Sequence, residues 1–101
     1  MAEKLRKTYR LRGTTDHWYA RSVYALEKGG FGIVRDDRRL NTIEARYKGF
    51  TIDGSLRVEL VEMGDRVELI IVVTADENHW AAMFSDPCQR ILNAFTGYLR
   101  D

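Results

Sequence analysis

The two histidines are the side chains of this sequence best suited to bind a metal ion. Each precedes a tryptophan near a predicted helix start, as His17-Trp18 and His79-Trp80. Zinc sites use three or four protein ligands, so two imidazoles are an incomplete set. A nearby carboxylate would have to complete it, from Asp16, Asp76 or Glu77. We expect no metal site, and both histidines to be partly exposed beside core tryptophans.

The other reactive side chains are better explained by structural roles than by catalysis. Cys88, the single cysteine, lies on the apolar stripe of a predicted helix, so we expect it in the core. Asp36 and Asp37 stand among arginines, which favour the ionised carboxylate over the protonated form that a general acid needs. The glycine-rich segment 29–32 follows a helix and enters a strand, the reverse of the order in a phosphate-binding loop. The sequence therefore predicts a non-enzymatic protein without a cofactor.

Size and charge narrow the class of protein further. The chain has 101 residues, 45% of them hydrophobic and 31% charged, and we expect one domain over residues 1–101 around one core. Its net charge of +1 argues against a dedicated nucleic-acid-binding protein, which needs an excess of cations to neutralise phosphates. A single cysteine excludes an intramolecular disulfide.

No apolar segment is long enough for a membrane span, which takes about 18 residues. The longest, Leu69 to Val73, has the length of a strand. Lys4, Arg6 and Lys7 lead directly into an alternating strand pattern, so we also expect no secretory leader. The compartment stays open: cytoplasmic if the chain is complete, periplasmic or envelope if a leader was removed.

Hydrophobic periodicity predicts a β-α-β-β-β-β-α order. Alternating apolar residues mark five strands, and helical spacing marks the segments after Thr14 or Thr15 and after Asp86-Pro87. Gly29-Gly30 ends the first helix, and Gly64-Asp65 forms a hairpin turn. We expect an α+β fold, a five-stranded antiparallel sheet with both helices on one face. A ferredoxin-like sandwich is less favoured because only Asp101 remains for a final strand.

The other face of this sheet is predicted to be charged, with an apolar island. Its charged residues are Arg10, Arg12, Glu44, Arg46, Arg57, Glu59, Arg66 and Glu68. Val61, Met63, Ile70 and Val72 interrupt them. An apolar island inside a charged rim is typical of a protein-binding surface, although a central strand covered on both sides would show the same pattern.

The stretch from the first helix through the hairpin resembles the small bacterial helix-grip domains of the BamC-like lipoprotein type. The similar residues are Gly29-Gly30-Phe31-Gly32-Ile33-Val34, then Asp36-Asp37-Arg38 and the segment from Asn41 to Tyr47, within roughly residues 9–75. The resemblance implies a helix-grip fold and a scaffold or protein-binding role in the bacterial cell envelope, without catalytic residues. The chain departs from that family in having no lipid-bearing cysteine near its start.

Two hypotheses of function follow. The first is a protein-interaction module that binds another protein or a second copy of itself through Val61, Met63, Ile70 and Val72, or through Phe50 and Ile52 in the loop before the fourth strand. The alternative is a carrier of a small hydrophobic ligand between the sheet and the last helix. Its pocket would be lined by Trp80, Met83, Phe84, Phe95 and Tyr98.

Overall fold

The computed structural model describes residues 3–49, 52–76 and 86–99. Its elements are β1 (Glu3–Arg12), α1 (Thr15–Lys28), β2 (Phe31–Asp37), β3 (Thr42–Lys48), β4 (Asp53–Met63), β5 (Arg66–Ala75) and α2 (Pro87–Thr96). The predicted β-α-β-β-β-β-α order is confirmed. The helix start predicted near His79 lies outside the described residues.

The five strands form one antiparallel sheet in the order β1-β5-β4-β3-β2. Its register aligns the alternating apolar residues on one face. One row crosses all five strands through Leu5, Val73, Leu56, Ala45 and Ile33. The most hydrophobic strand, β5, lies between β1 and β4, as its composition predicts.

Both helices cover this apolar face, here called the inner face. α1 buries Trp18, Tyr19, Ser22, Ala25 and Leu26, and α2 buries Pro87, Cys88, Ile91, Leu92 and Phe95. The two helices also contact each other and close the core between them. Cys88 is only 2% exposed, so the thiol is a core group, as expected.

The helix ends follow the local sequence. Thr14 accepts a hydrogen bond from the backbone N–H of His17 (3.1 Å), and Asp86 accepts from those of Cys88 (3.0 Å) and Gln89 (3.3 Å). These side chains satisfy N–H groups that the first helical turn leaves without partners. After α1, Gly30 rather than Gly29 takes the left-handed conformation, with φ of 86°, and turns the chain into β2.

An irregularity in β2 changes which side chains point inwards. The register with β3 shifts between Ile33 and Arg35, so Val34 is the extra residue of a β-bulge and is 67% exposed. Beyond the bulge, Asp36 lies opposite Ile43, on the inner face. The bulge thereby brings a carboxylate towards α1.

Candidate functional site

A shallow apolar groove lies on the inner face, between β1 and the end of α2. Its volume is about 200 Å³, and its lining residues are Tyr9, Leu11, Trp18, Thr96 and Leu99. Four of these side chains are aliphatic or aromatic, and the hydroxyls of Thr96 and Tyr9 are polar groups among them. The groove can therefore hold an apolar ring or short chain that carries a hydrogen-bonding group.

The position of each lining residue follows from the strand or helix that carries it. Tyr9 and Leu11 point to this side because β1 alternates, and both are half-buried because β1 is an edge strand. Trp18 is fixed by a hydrogen bond of 2.7 Å from its indole N–H to the Arg12 carbonyl. α2 ends at Thr96, and the following turn returns Leu99 to the protein, where it is 8% exposed.

Buried side chains lie beneath the groove. Phe95, Val67 and Leu69 are fully buried, and they occupy the space between α2 and the sheet. Close packing of this kind leaves few voids larger than a water molecule. Within the described part of the chain, the groove is thus a surface site above a packed core.

The structure describes two of the five residues of the predicted pocket, Phe95 and Tyr98. Phe95 is a core residue with 0% exposure, whereas Tyr98 is 48% exposed. Trp80, Met83 and Phe84 lie outside the described residues. Tyr9, Leu11, Trp18 and Leu99, which line the groove, follow the apolar periodicity of their segments, whereas Thr96 does not. No local pattern identifies them as a group, because the groove forms where α2 ends over the edge strand β1.

The predicted partner-binding residues of the sheet lie on the outer face. Val61 and Met63 are 41% and 53% exposed, while Ile70 and Val72 are half-buried. In the β4–β5 register each lies opposite a charged residue: Val61 opposite Glu68, Met63 opposite Arg66, Ile70 opposite Glu59 and Val72 opposite Arg57. This surface is therefore a mixture of apolar and charged residues.

One of the two predicted partner-binding residues in the loop before β4, Ile52, is buried. Ile52 is 4% exposed and belongs to the core cluster, so its side chain is not presented to a partner. Phe50, the other residue of this predicted site, lies outside the described residues.

A second depression, of about 280 Å³, lies on the outer face across β2, β3, β4 and β5. Its lining is mixed, with the charged side chains of Glu44, Arg46 and Arg57 among apolar residues. The Arg46 guanidinium donates a hydrogen bond of 2.7 Å to Asp76, and this bond, assisted by the Asp76 and Asp53 charges, raises the pKa of Arg46. The depression is thus less suited than the groove to an apolar ligand.

A polar cluster joins the start of α1 to the β2–β3 hairpin. The Tyr19 hydroxyl donates to Asp36, the carboxylate that the bulge turns inwards. Arg38 lies over the Tyr19 ring, 4.9 Å from its centroid, and pairs with Asp16. These contacts hold the helix on the hairpin, and we assign them a structural role.

The structure describes one of the two histidines, His17. Its ring is exposed and packs edge-on against Trp18, with 5.1 Å between the centroids, while His79 lies outside the described residues. Across residues 3–49, 52–76 and 86–99, no three His, Cys, Asp or Glu side chains are grouped to hold a metal ion. No helix in these ranges is long and apolar enough to cross a membrane.

Comparison with known structures identifies the architecture. Norcoclaurine synthase from Thalictrum flavum superposes with a TM-score of 0.63 at 8% identity, over 98% of this chain and 92% of the synthase. CalU16 from Micromonospora echinospora gives 0.62 at 10% identity, over 99% and 90% of the two chains. The Zhui aromatase/cyclase from Streptomyces sp. R1128 gives 0.55 at 10% identity, over 98% and 87%. The fold is a helix grip.

The helix-grip part of the sequence resemblance is thus confirmed, and none of these three similarities is to a BamC-like domain. At 8–10% identity the superpositions show a shared fold only. The sequence matches no protein-family profile and no curated protein.

Proposed function

We propose that this protein binds a small hydrophobic molecule in the groove between β1 and the end of α2. The observation that supports the proposal is the groove itself, a concave site with a volume of about 200 Å³. Its lining residues are Tyr9, Leu11, Trp18, Thr96 and Leu99. Concave sites with mostly apolar linings and few polar groups are typical of small-molecule binding. The proposal assigns binding alone, with no chemical step.

The structural neighbours support a ligand-binding use of this fold. One is a norcoclaurine synthase in complex with a transition-state analogue, and another is an aromatase/cyclase. The groove of this chain is below the roughly 300–1,000 Å³ of drug-sized pockets. We therefore expect a ligand of about one or two rings, or a short acyl chain.

The experiment is a fluorescence titration with 6-propionyl-2-(dimethylamino)naphthalene, an uncharged two-ring probe whose emission shifts to the blue in apolar surroundings. An uncharged probe is needed because an anionic one would also bind the arginines of the outer face. Thr96→Phe places a ring in the groove without removing a core side chain, and Thr96 is half-buried at the end of α2. We expect it to weaken probe binding about tenfold, equivalent to about 1.4 kcal/mol.

Met63→Ser serves as the control, because Met63 is an exposed apolar residue on the opposite face. It should leave the titration unchanged. Equal binding to the wild type and to Thr96→Phe would exclude the groove as the site, and so would a wild type that binds no probe.

The second candidate function is protein binding through the outer face. It is favoured by the exposure of Val61 and Met63, at 41% and 53%, near the β4–β5 turn. The same titration distinguishes the two candidates. A probe response lost in Met63→Ser and retained in Thr96→Phe would place the accessible apolar surface on the outer face.

A further inference from the structure

Strand β1 offers an open row of backbone hydrogen-bonding groups. It is the last strand of the sheet, and in the described part of the chain it pairs on one side only, with β5. Just beyond it, the Gly13 N–H donates to the Asp65 carbonyl (3.3 Å), which makes that pair a hydrogen-bonded one. Such pairs alternate along an antiparallel ladder. The odd-numbered residues of β1 therefore bond to β5, and the even-numbered residues direct their N–H and C=O groups to the open edge.

The same even-numbered residues carry a cationic stripe. They are Lys4, Arg6, Thr8, Arg10 and Arg12, all exposed on the outer face. Four of the five are cations, in a chain whose net charge is only +1. All of these positions except Thr8 thus present a positive charge beside the open edge. Lys4, Arg6, Thr8 and Arg10 direct both a donor and an acceptor to it, whereas the Arg12 carbonyl already accepts the Trp18 indole N–H (2.7 Å).

Little negative charge on the neighbouring strand offsets this stripe. Of the β5 residues opposite it, Glu68 is the carboxylate, and it pairs with Arg10 at 3.7 Å while the Arg10 side chain stays 75% exposed. Arg66 lies opposite Arg12 and adds to the positive charge. The edge is therefore complementary to an anionic partner.

The odd-numbered residues of β1 make its inner face mostly apolar. Leu5, Tyr9 and Leu11 are half-buried on the inner face, with the exposed Lys7 between the first two. A strand added beside β1 would place alternate side chains against these residues. Its remaining side chains would lie against the cationic stripe.

We propose that β1 binds an extended peptide segment of alternating acidic and apolar residues, which adds a sixth strand to the sheet. Main-chain hydrogen bonds from the open edge provide the binding, and opposite charges on adjacent strands select the sequence. This site adjoins the ligand groove and shares Tyr9 and Leu11 with it. Its binding rests on main-chain hydrogen bonds and opposite charges, so neither proposal depends on the other.

A second copy of this chain fits the edge poorly. Antiparallel pairing of two β1 strands about Thr8 would place Lys4 opposite Arg12 and Arg6 opposite Arg10. Like charges directly opposite one another destabilise a strand pair. At the other end of the sheet, the bulge at Val34 interrupts the β2 edge. The open pairing site is therefore β1, and its charge favours an acidic partner.

The test uses a blocked peptide of nine residues, the span from Lys4 to Arg12, with the sequence Glu-Val-Glu-Val-Thr-Val-Glu-Val-Glu. Its affinity is measured by isothermal titration calorimetry at about 0.15 M salt, where exposed charges are screened beyond about 8 Å. We expect saturable one-to-one binding. The same peptide with lysine at every glutamate position should not bind.

N-methylation separates strand pairing from simple charge attraction. In the antiparallel pairing, the third and seventh peptide residues direct their N–H groups at β1, and the fourth and sixth direct theirs away. N-methylation of the third and seventh residues should abolish binding. N-methylation of the fourth and sixth residues should leave it intact. Equal affinity of both methylated peptides would overturn the proposal, because binding would then be electrostatic only.

Two substitutions test the protein side. Thr8→Pro removes the backbone N–H of residue 8, which points to the open edge, where a strand tolerates proline. This substitution should abolish binding. Thr8→Val keeps the N–H and should preserve binding. Arg6→Glu combined with Arg10→Glu changes charge instead of backbone, and should weaken binding at least about tenfold through like-charge repulsion. Circular dichroism verifies that each variant folds. Wild-type affinity in folded Thr8→Pro, or in the double variant, would exclude the β1 edge.

Discussion

The bulge residue Val34 decides the role of two neighbouring carboxylates. Without the bulge, strict alternation would put Asp36 on the outer face with the charged residues. The inserted residue reverses the alternation, so Asp36 reaches the Tyr19 hydroxyl on the inner side. Asp37 instead accepts a hydrogen bond from the Leu40 N–H in the turn (3.2 Å). The pair of aspartates thus serves packing and turn formation.

Tyr19→Phe tests this arrangement at the level of one hydrogen bond. Tyr19 is 7% exposed, and removing its hydroxyl leaves Asp36 without that donor. We expect the free energy of unfolding to fall by about 1 kcal/mol, measured by urea denaturation. Tyr24→Phe is the matched control, since Tyr24 is 44% exposed on the same helix. An equal loss in both variants would contradict the proposed role of the Tyr19 hydroxyl.

At the level of elements, the approach of α2 to the sheet depends on a residue without a side chain. A Cβ at Gly54 in β4 would lie 2.5 Å from the Thr74 carbonyl oxygen and 2.6 Å from Cδ1 of Ile91. The first atom belongs to the neighbouring strand and the second to the helix. Gly54 therefore allows the helix to lie directly on the strand pair.

We expect Gly54→Ala to reduce the free energy of unfolding by about 1–3 kcal/mol, because the added methyl group overpacks this contact. Gly32→Ala provides the comparison. It adds the same methyl group to β2, where nothing lies within 4 Å of the new Cβ, and should change stability by less than about 0.5 kcal/mol. Thermal denaturation of both variants measures the difference. Equal stability would show that α2 is not seated at Gly54.

At the scale of the whole molecule, one core on one side of the sheet unites both helices. Neighbouring residues of β5 should then respond very differently to truncation. Ile71 is fully buried on the inner face, while Ile70 is half-buried on the outer face. We expect Ile71→Ala to cost about 2–5 kcal/mol.

Ile70→Ala should cost about 1 kcal/mol, the central value for point substitutions. Urea denaturation followed by circular dichroism and by tryptophan fluorescence measures both variants. Coincident transitions for the two signals are expected, because the sheet and both helices share the core. Comparable losses at the two positions would mean that the sheet is covered on both faces.

Much of this architecture follows from local patterns. Alternation in β1, β3, β4 and β5 specifies the strands and the face that each side chain occupies, since side chains of a strand alternate strictly. Thr14, Asp86 and Pro87 mark helix starts through short-range hydrogen bonds and a fixed φ. These features involve residues within about four positions of each other, so the sequence contains them directly.

The site could not be derived in the same way. Periodicity places Tyr9, Leu11 and Trp18 on apolar faces, but a groove exists only where α2 ends over an edge strand. Conversely, Ile52 appears in a polar loop and was expected at the surface, yet the fold buries it in the core. Both outcomes depend on which distant segments cover a residue, and no local pattern records that.

By itself, the amino-acid sequence determined the order of the elements, the two faces of the sheet, and the cationic outer side of β1. Only the tertiary structure decided that β1 is an edge strand, so that its cations border unpaired backbone groups, and that Phe95 of α2 is fully buried. The physical reason is the range of the interactions. Turn, cap and periodicity preferences act along the chain, whereas strand order and burial depend on contacts between residues far apart in the sequence.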